Sequence, residues 1–265
     1  MIHHASHRTA HFEEHIMSQT QSNSKRVAIV TGASRGIGAQ IARRLAQDGF
    51  AVAVNYAASA KEADALVAEL RETGGAALAV KADVANADDV RRMFETVEAE
   101  LGKVDALVNN AGVLKTVPLA DTSDALYDQT FDINVRGTFN TLREAAARMN
   151  GGGRIVNFSS TTLALNMPGY AIYNATKAAV ESFTHVFAKE LRGRGITVNA
   201  VAPGPVATSL FLDGKTDEQI AAFSKMPPLE RLGQPEDIAA VVAFLVGPDA
   251  GWVNGQVLRA NGGVA

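Results

Sequence analysis

The sequence predicts a single α/β domain, built on a doubly wound, seven-stranded parallel sheet with helices on both faces. Three observations carry this. From Lys25 onward, short β-branched runs alternate with longer Ala/Leu/charge-rich stretches of helical spacing, the pattern of repeated strand–helix units. The strand runs are apolar at nearly every position, as strands must be when both faces of their sheet are covered. The first run, Val27–Val30, leads directly into Thr31-Gly32-Ala33-Ser34-Arg35-Gly36-Ile37-Gly38, a glycine-rich turn that opens a helix.

The elements follow in order. Val27–Val30 precedes a helix over Gly36–Gln47, and Ala51–Tyr56 precedes one over Ala60–Thr73. Strand Ala76–Ala82 leads to helix Ala87–Leu101, and Ala106–Val108 to a long helix over Ser123–Met149. Arg154–Ser159 is followed by helix Tyr170–Arg192, then Thr197–Ala202, helix Pro235–Val246 and a last strand, Gln256–Arg259. Pro205–Pro228 is too long for a plain strand–helix turn and reads as a lid or an insertion.

Composition bounds the function. The chain has 265 residues, 47% hydrophobic and 20% charged, an ordinary globular balance,. With 25 basic and 28 acidic residues the formal net charge is −3, which suggests neither a nucleic-acid nor a membrane-surface partner. No apolar run reaches membrane-spanning length. The absence of cysteine excludes disulfides, thiolate metal sites and cysteine nucleophiles, and fits a cytoplasmic location,. Residues 1–24 read as a disordered leader. They hold His3, His4, His7, His11 and His15 and then a polar stretch to Ser24, so the domain is expected over 25–265. His7, His11 and His15 would share a helical face able to chelate a metal, Met17 is an alternative start, and no metal site is expected in the fold,.

In the glycine turn, Gly32 allows the bend off the strand, Gly36 lets a phosphate approach the backbone, and Gly38 lets helix and sheet pack closely. Ser34 and Ile37 complete the turn, and the helix N-terminus behind it favours an anion. The spacing is G-x-x-x-G-x-G. Together with Asn109-Asn110-Ala111-Gly112, Tyr173-x-x-x-Lys177 and Asn199-Ala200-Val201-Ala202-Pro203-Gly204, in that order, it resembles the short-chain dehydrogenase/reductase family, classical type, with its Rossmann fold. The resemblance covers about Lys25 to Ala265 and implies an oxidoreductase using a nicotinamide dinucleotide.

The second strand ends Asn55-Tyr56 with no acid until Glu62, so nothing repels a 2′-phosphate. Arg35 resembles the basic residue of NADP-using members, although a solvated loop arginine is the plain alternative. Asn55 and Ser59 can add hydrogen bonds, and NADP(H) is the expected cofactor. Asp83-Val84 looks like the family's adenine contact, though Asp83 could equally cap the next helix. Asn110, Ala111 and Gly112 look like its ribose-side contact. Pro203, Gly204, Val206 and Thr208 match the segment that orients the nicotinamide.

Tyr173 and Lys177 lie one helical turn apart and point the same way. Lowering a tyrosine by three units takes about 4 kcal/mol, and an ammonium near 4 Å supplies about that much at an effective dielectric of 20. Lys177 is thus expected to tune Tyr173, and the family has it hold the nicotinamide ribose. Ser160, with Ser159 as the alternative, matches the serine that polarises the substrate carbonyl. Asn134 matches the asparagine that holds a relay water near the lysine; a locally bonded helical asparagine is its plain alternative. His185 reads as a packing residue.

Leu163, Leu165, Met167, Leu210, Phe211, Leu212, Phe223 and Met226 are the expected substrate walls. They favour a small, apolar ketone or aldehyde, or the matching secondary alcohol. The resemblance includes 3-oxoacyl-carrier-protein reductases. Those tend to carry basic residues before the fifth strand, where this chain has Met149-Asn150-Gly151-Gly152-Gly153, with Arg192 and Arg194 elsewhere. A non-enzymatic nucleotide-sensing or scaffold protein on the same fold is the rival of another class. The family also implies a homotetramer assembled through Ser123–Met149, Tyr170–Arg192 and the last strand.

Overall fold

The computed structural model describes residues 25–265, so the leader expected over 1–24, its histidines included, lies outside the described residues. Seven parallel strands form one sheet in the order β3-β2-β1-β4-β5-β6-β7. They are β1 Val27–Val30, β2 Ala51–Tyr56, β3 Ala77–Lys81, β4 Val104–Asn109, β5 Arg154–Phe158, β6 Thr197–Pro203 and β7 Val257–Ala260. The order reverses between β1 and β4. The connections there leave in opposite directions and open a crevice at the carboxyl ends of the strands.

The continuous apolarity of the strands has a direct cause. Ala28, Val30, Val52 and Val54 face one layer, with Ile41 and Leu45 of α1 (Gly36–Gln47), Leu66 of α2 (Ala60–Glu72), and Val242 and Leu245 of a late helix, Pro235–Val246. Their strand neighbours Val27, Ile29, Ala51 and Ala53 face the other layer. There they meet Met93 and Phe94 of α3 (Ala87–Glu100), and Leu142 and Ala145 further along the chain. Successive side chains point to opposite faces, and both faces are dry. Truncating a fully buried side chain such as Phe94 or Ile41 in these layers would cost about 2–5 kcal/mol,.

The expected long helix over Ser123–Met149 is not α-helical throughout. It comprises α4 (Asp124–Phe131), a π-helical turn over Asp132–Arg136, and α5 (Gly137–Arg148). Apolar spacing alone does not register one extra residue in a turn. A short α6 (Thr162–Leu165) follows β5, and then comes α7 (Ala171–Glu190). Pro205–Pro228 holds two helices, α8 (Ser209–Leu212) and α9 (Asp217–Lys225), before α10 (Pro235–Val246). Thr216 and Gln219 form a reciprocal cap that fixes the start of α9,. The packing role expected of His185 is not found, because its side chain is exposed on the outer side of α7.

Candidate active site

The crevice is lined at one end by the glycine turn. Gly32 and Gly36 have φ of +61° and +57°, which side chains disfavour,. A Cβ on Gly38 would lie 2.5 Å from Asn110 Nδ2 and 2.6 Å from the Gly32 carbonyl oxygen. What Gly38 permits is therefore contact with the end of β4 and with the turn itself. Asn110 Nδ2 donates to the carbonyls of Thr31 and Gly32, at 2.9 and 3.1 Å. The backbone N–H groups of Asn110 and Ala111 both donate to Thr31 Oγ1, each at 3.0 Å. Thr31, buried and not among the expected site residues, thus locks the turn to β4.

Arg35 occupies the N-cap of α1 and makes no side-chain cap bond. The first N–H groups of this helix are consequently open to an anion. The Arg35 side chain is exposed over the same end of the crevice. Ser34, Ile37, Tyr56, Ser59, Asp83, Val84, Ala111 and Gly112 line this half with it.

Asn55 differs from expectation, and the capping alternative for Asp83 falls away. Asn55 is buried, its Oδ1 accepts from Gly32 N–H, and its Nδ2 donates to the carbonyls of Val80 and Ala82. Both donors are engaged, so Asn55 fixes the turn and has none left for a phosphate. Asp83 does not cap α3. Asn86 does, accepting from the N–H groups of Asp88 and Asp89.

At the other end, Ser160, Tyr173, Lys177, Pro203, Gly204, Val206 and Thr208 meet in one cleft, about 970 Å³ counting its open mouth. Ser159 Oγ donates to Glu181 at 2.5 Å. That leaves Ser160 as the hydroxyl next to Tyr173. Lys177 is buried, donates to the Phe158 carbonyl at 2.8 Å, and lies 5.5 Å from the centre of the Tyr173 ring. Burial pushes Lys177 down to about 8. Burial also pushes Tyr173 up to about 12, and a hydrogen bond with Ser160 opposes this only in part. The expected downward pull of Lys177 is not found: desolvation dominates, Tyr170 adds to it, and the chain's own groups keep Tyr173 protonated,.

Asn134 sits in the π-helical turn and is buried. Its Oδ1 accepts from Val113 N–H at 2.9 Å. Its Nδ2 donates to the Val113 carbonyl and to Thr176 Oγ1, at 3.0 and 3.1 Å. These bonds clamp the 112–113 backbone beside Lys177, to which the Gly112 Cβ position lies 3.6 Å from Nζ.

Of the expected walls, Leu165, Met167, Leu210, Phe211, Phe223 and Met226 line the cleft, and Leu163 and Leu212 do not. Val113, Leu114, Phe158 and Tyr170 were not expected and do line it. Val113 and Leu114 directly follow the Asn-Asn-Ala-Gly segment, a signal that could have found them. Phe211 and Phe223 meet edge to face at 5.1 Å, joining α8 to α9 over the cleft. Tyr170 is buried and meets Tyr173 in the same way at 6.4 Å.

Comparison with known proteins agrees with this geometry. A family profile described as enoyl-(acyl carrier protein) reductase matches residues 32–265. The solved short-chain dehydrogenase from Burkholderia cenocepacia, in complex with NADP, superposes with a TM-score of 0.86. It is 39% identical, over 91% of this chain and 98% of that one. This chain belongs to the short-chain dehydrogenase/reductase family. Within the family, an NADPH-dependent aldehyde reductase-like protein, chloroplastic, from Arabidopsis thaliana is 42% identical, over 90% of this chain and 93% of its own. A 3-oxoacyl-[acyl-carrier-protein] reductase from Staphylococcus aureus is 44% identical, over 89% of this chain and 97% of its own. Family members of this type are dehydrogenases and reductases, and this chain is an oxidoreductase.

Proposed function

We propose that the protein is an NADP(H)-dependent carbonyl reductase, or alcohol dehydrogenase in the reverse direction. Its substrate is a small, predominantly apolar ketone or aldehyde. The observation that carries this is the meeting of Ser160, Tyr173 and Lys177 where the glycine-turn crevice joins an apolar-walled cleft. The residues present fit the dinucleotide. The uncapped start of α1 and the Gly32–Gly38 backbone suit the pyrophosphate, and Arg35 suits a 2′-phosphate,. Lys177 would hold the ribose, and the 203–208 segment would bound the nicotinamide. NADPH, when bound, would supply the hydride.

Ser160 holds the substrate oxygen, and Tyr173 gives the alkoxide its proton, as its preference for the protonated form allows,. Asn134 keeps the backbone beside Lys177 in place. Leu165, Met167, Phe211 and Phe223 exclude water and favour apolar substituents,.

Reduction of a 3-oxoacyl carrier thioester is the second reading, favoured by the Staphylococcus aureus relative. Against it, Arg194 donates to the Ala146 and Met149 carbonyls, so this cation serves the fold. Among the described residues no helix is long and apolar enough to cross a membrane. We place the protein in the cytoplasm as a homotetramer that covers Phe139, Phe244 and Trp252, all exposed in one chain. Light scattering that returned the mass of one chain would refute the assembly.

The deciding experiment is fluorescence titration with NADPH and NADH, followed by oxidation of bound NADPH against aldehydes, ketones, and free and carrier-bound acyl thioesters. Preference for NADPH with turnover of a simple carbonyl supports the proposal. Turnover confined to carrier-bound thioesters supports the second reading, and preference for NADH overturns the role given to Arg35.

A further inference from the structure

The Ser160 hydroxyl carries one proton, and the groups behind it decide where that proton points. Asn174, in the first turn of α7, donates from Nδ2 to the Thr162 backbone carbonyl at 3.0 Å. A backbone carbonyl only accepts, so this bond fixes the orientation of the amide. Asn174 Oδ1, also only an acceptor, then faces Thr162 Oγ1 at 2.7 Å. The single hydroxyl proton of Thr162 is used there. Thr162 Oγ1 lies 2.9 Å from Ser160 Oγ and can only accept from it. Ser160 thus donates to Thr162, while its own oxygen accepts from the Thr162 backbone N–H at 3.2 Å.

We propose that Thr162 and Asn174 are positioning residues: they turn the Ser160 proton away from Tyr173, and release it to a tyrosinate or a substrate oxygen only when the Ser160–Thr162 bond is given up. The inference rests on the role given to Ser160 and Tyr173 above. In the resting direction the chain runs from Ser160 to Thr162 and Asn174, with Tyr173 beside Ser160 in the cleft. With its proton held by Thr162, Ser160 opposes the upward shift of Tyr173 only in part, and a freed Ser160 proton would oppose it more,.

The other titratable groups facing Tyr173 are Lys177, on α7, and Tyr170, at its N-cap. Glu181, on the same helix, is bonded to Ser159. Among the cleft-lining residues, α6, the loop after β4 and the 203–226 segment contribute no titratable side chain.

The test is a pH titration of the tyrosine ring signals by NMR with carbon-labelled tyrosine, in the presence of NADP+. The chain has four tyrosines, and the Tyr173 signal is identified by its loss in Tyr173→Phe. Thr162→Val removes the acceptor and frees the Ser160 proton. Asn174→Ala frees the Thr162 proton to point back at Ser160, with the same consequence. Each is expected to lower the Tyr173 midpoint by about one pH unit, a tenfold change in ionisation constant. The double variant should shift no further, because one chain is broken twice. Thr162→Ser should titrate like the unchanged protein. Thermal melting checks that each variant is folded, and Thr162→Ser with Asn174→Ala keeps the test open if valine is not tolerated.

An unchanged Tyr173 signal across all variants overturns the proposal, whether or not it titrates. So do an upward shift and additive shifts in the double variant. None of these readings requires turnover. If the unchanged protein fails to oxidise NADPH with any carbonyl, the proposed function fails separately.

Discussion

The two halves of the crevice are built by different means. The glycine-turn half is made of backbone held by buried or half-buried polar side chains. Thr31, Asn55 and Asn110 pin β1, β2 and β4 to one another, and glycines occupy the places where a Cβ would collide or strain. The substrate half is made of side chains on short helices and loops. Leu165, Phe211, Phe223 and Met226 line the cleft with apolar side chains, and Leu210 remains 58% exposed. A pyrophosphate needs fixed N–H groups, whereas an apolar substituent needs only volume and the exclusion of water. Changes in the first half should therefore be abrupt, and changes in the second graded.

The junction between the halves should give the largest effect. Tyr173→Phe should lower turnover by about 10³–10⁴-fold, since it removes the proton donor, while NADPH affinity stays within about twofold. Stopped-flow kinetics and a binding titration on one preparation measure both.

The buried pair at the same place sets a pH signature. Lys177 has its folded value lowered to about 8, below the ordinary 10.5. Between those values the unfolded chain binds the extra proton, so stability rises as pH climbs through the window. Tyr173 is raised to about 12 from 10, so its contribution falls as pH climbs from 10 to 12,. Urea unfolding at pH 8 and pH 10 should show a gain of up to a few kcal/mol that Lys177→Met abolishes.

Within the backbone half, Gly38→Ala forces a Cβ to 2.5 Å from Asn110 Nδ2. It should cost about 1–3 kcal/mol of stability and weaken NADPH binding by at least about tenfold. Calorimetry of the free and NADPH-saturated protein separates these effects. Arg35→Ala should weaken NADPH by about 10–30-fold and leave NADH unchanged, the loss of a charge-assisted phosphate contact. Equal losses for both nucleotides would remove Arg35 from the 2′-phosphate. In the side-chain half, Phe211→Ala should raise KM for an apolar ketone by about 3–10-fold at unchanged NADPH affinity. A collapse of cofactor binding in Phe211→Ala would erase the contrast between the halves.

How legible each half was follows from the same physics. Gly32, Gly36 and Gly38 are recognisable because only glycine meets their backbone demands, and the Tyr173–Lys177 spacing because a helical turn fixes it. The parallel sheet is recognisable because its strands are apolar runs covered on both faces. Asn55 misled because its position suggested a ligand contact, whereas its role depends on Val80 and Ala82, far away in sequence. The expected tuning of Tyr173 counted a charge and omitted desolvation. The helices α6, α8 and α9 stayed hidden because four to nine residues carry little periodic signal. Thr162 and Asn174 lacked any signal, since their pairing exists only once α6 and α7 are side by side.

The π-helical turn over Asp132–Arg136 bears on how this gene tolerates insertion and deletion. Losing one codon there would let α4 and α5 merge into a more regular helix. Each residue advances an α-helix by about 100°, so the same loss would rotate one half of the helix against the other by that amount. Asn134 would leave Val113, or Leu142 and Ala145 would leave the core. A deletion that improves the helix should thus inactivate the protein, and a length change at this point in a related sequence marks altered chemistry sooner than a loosened fold.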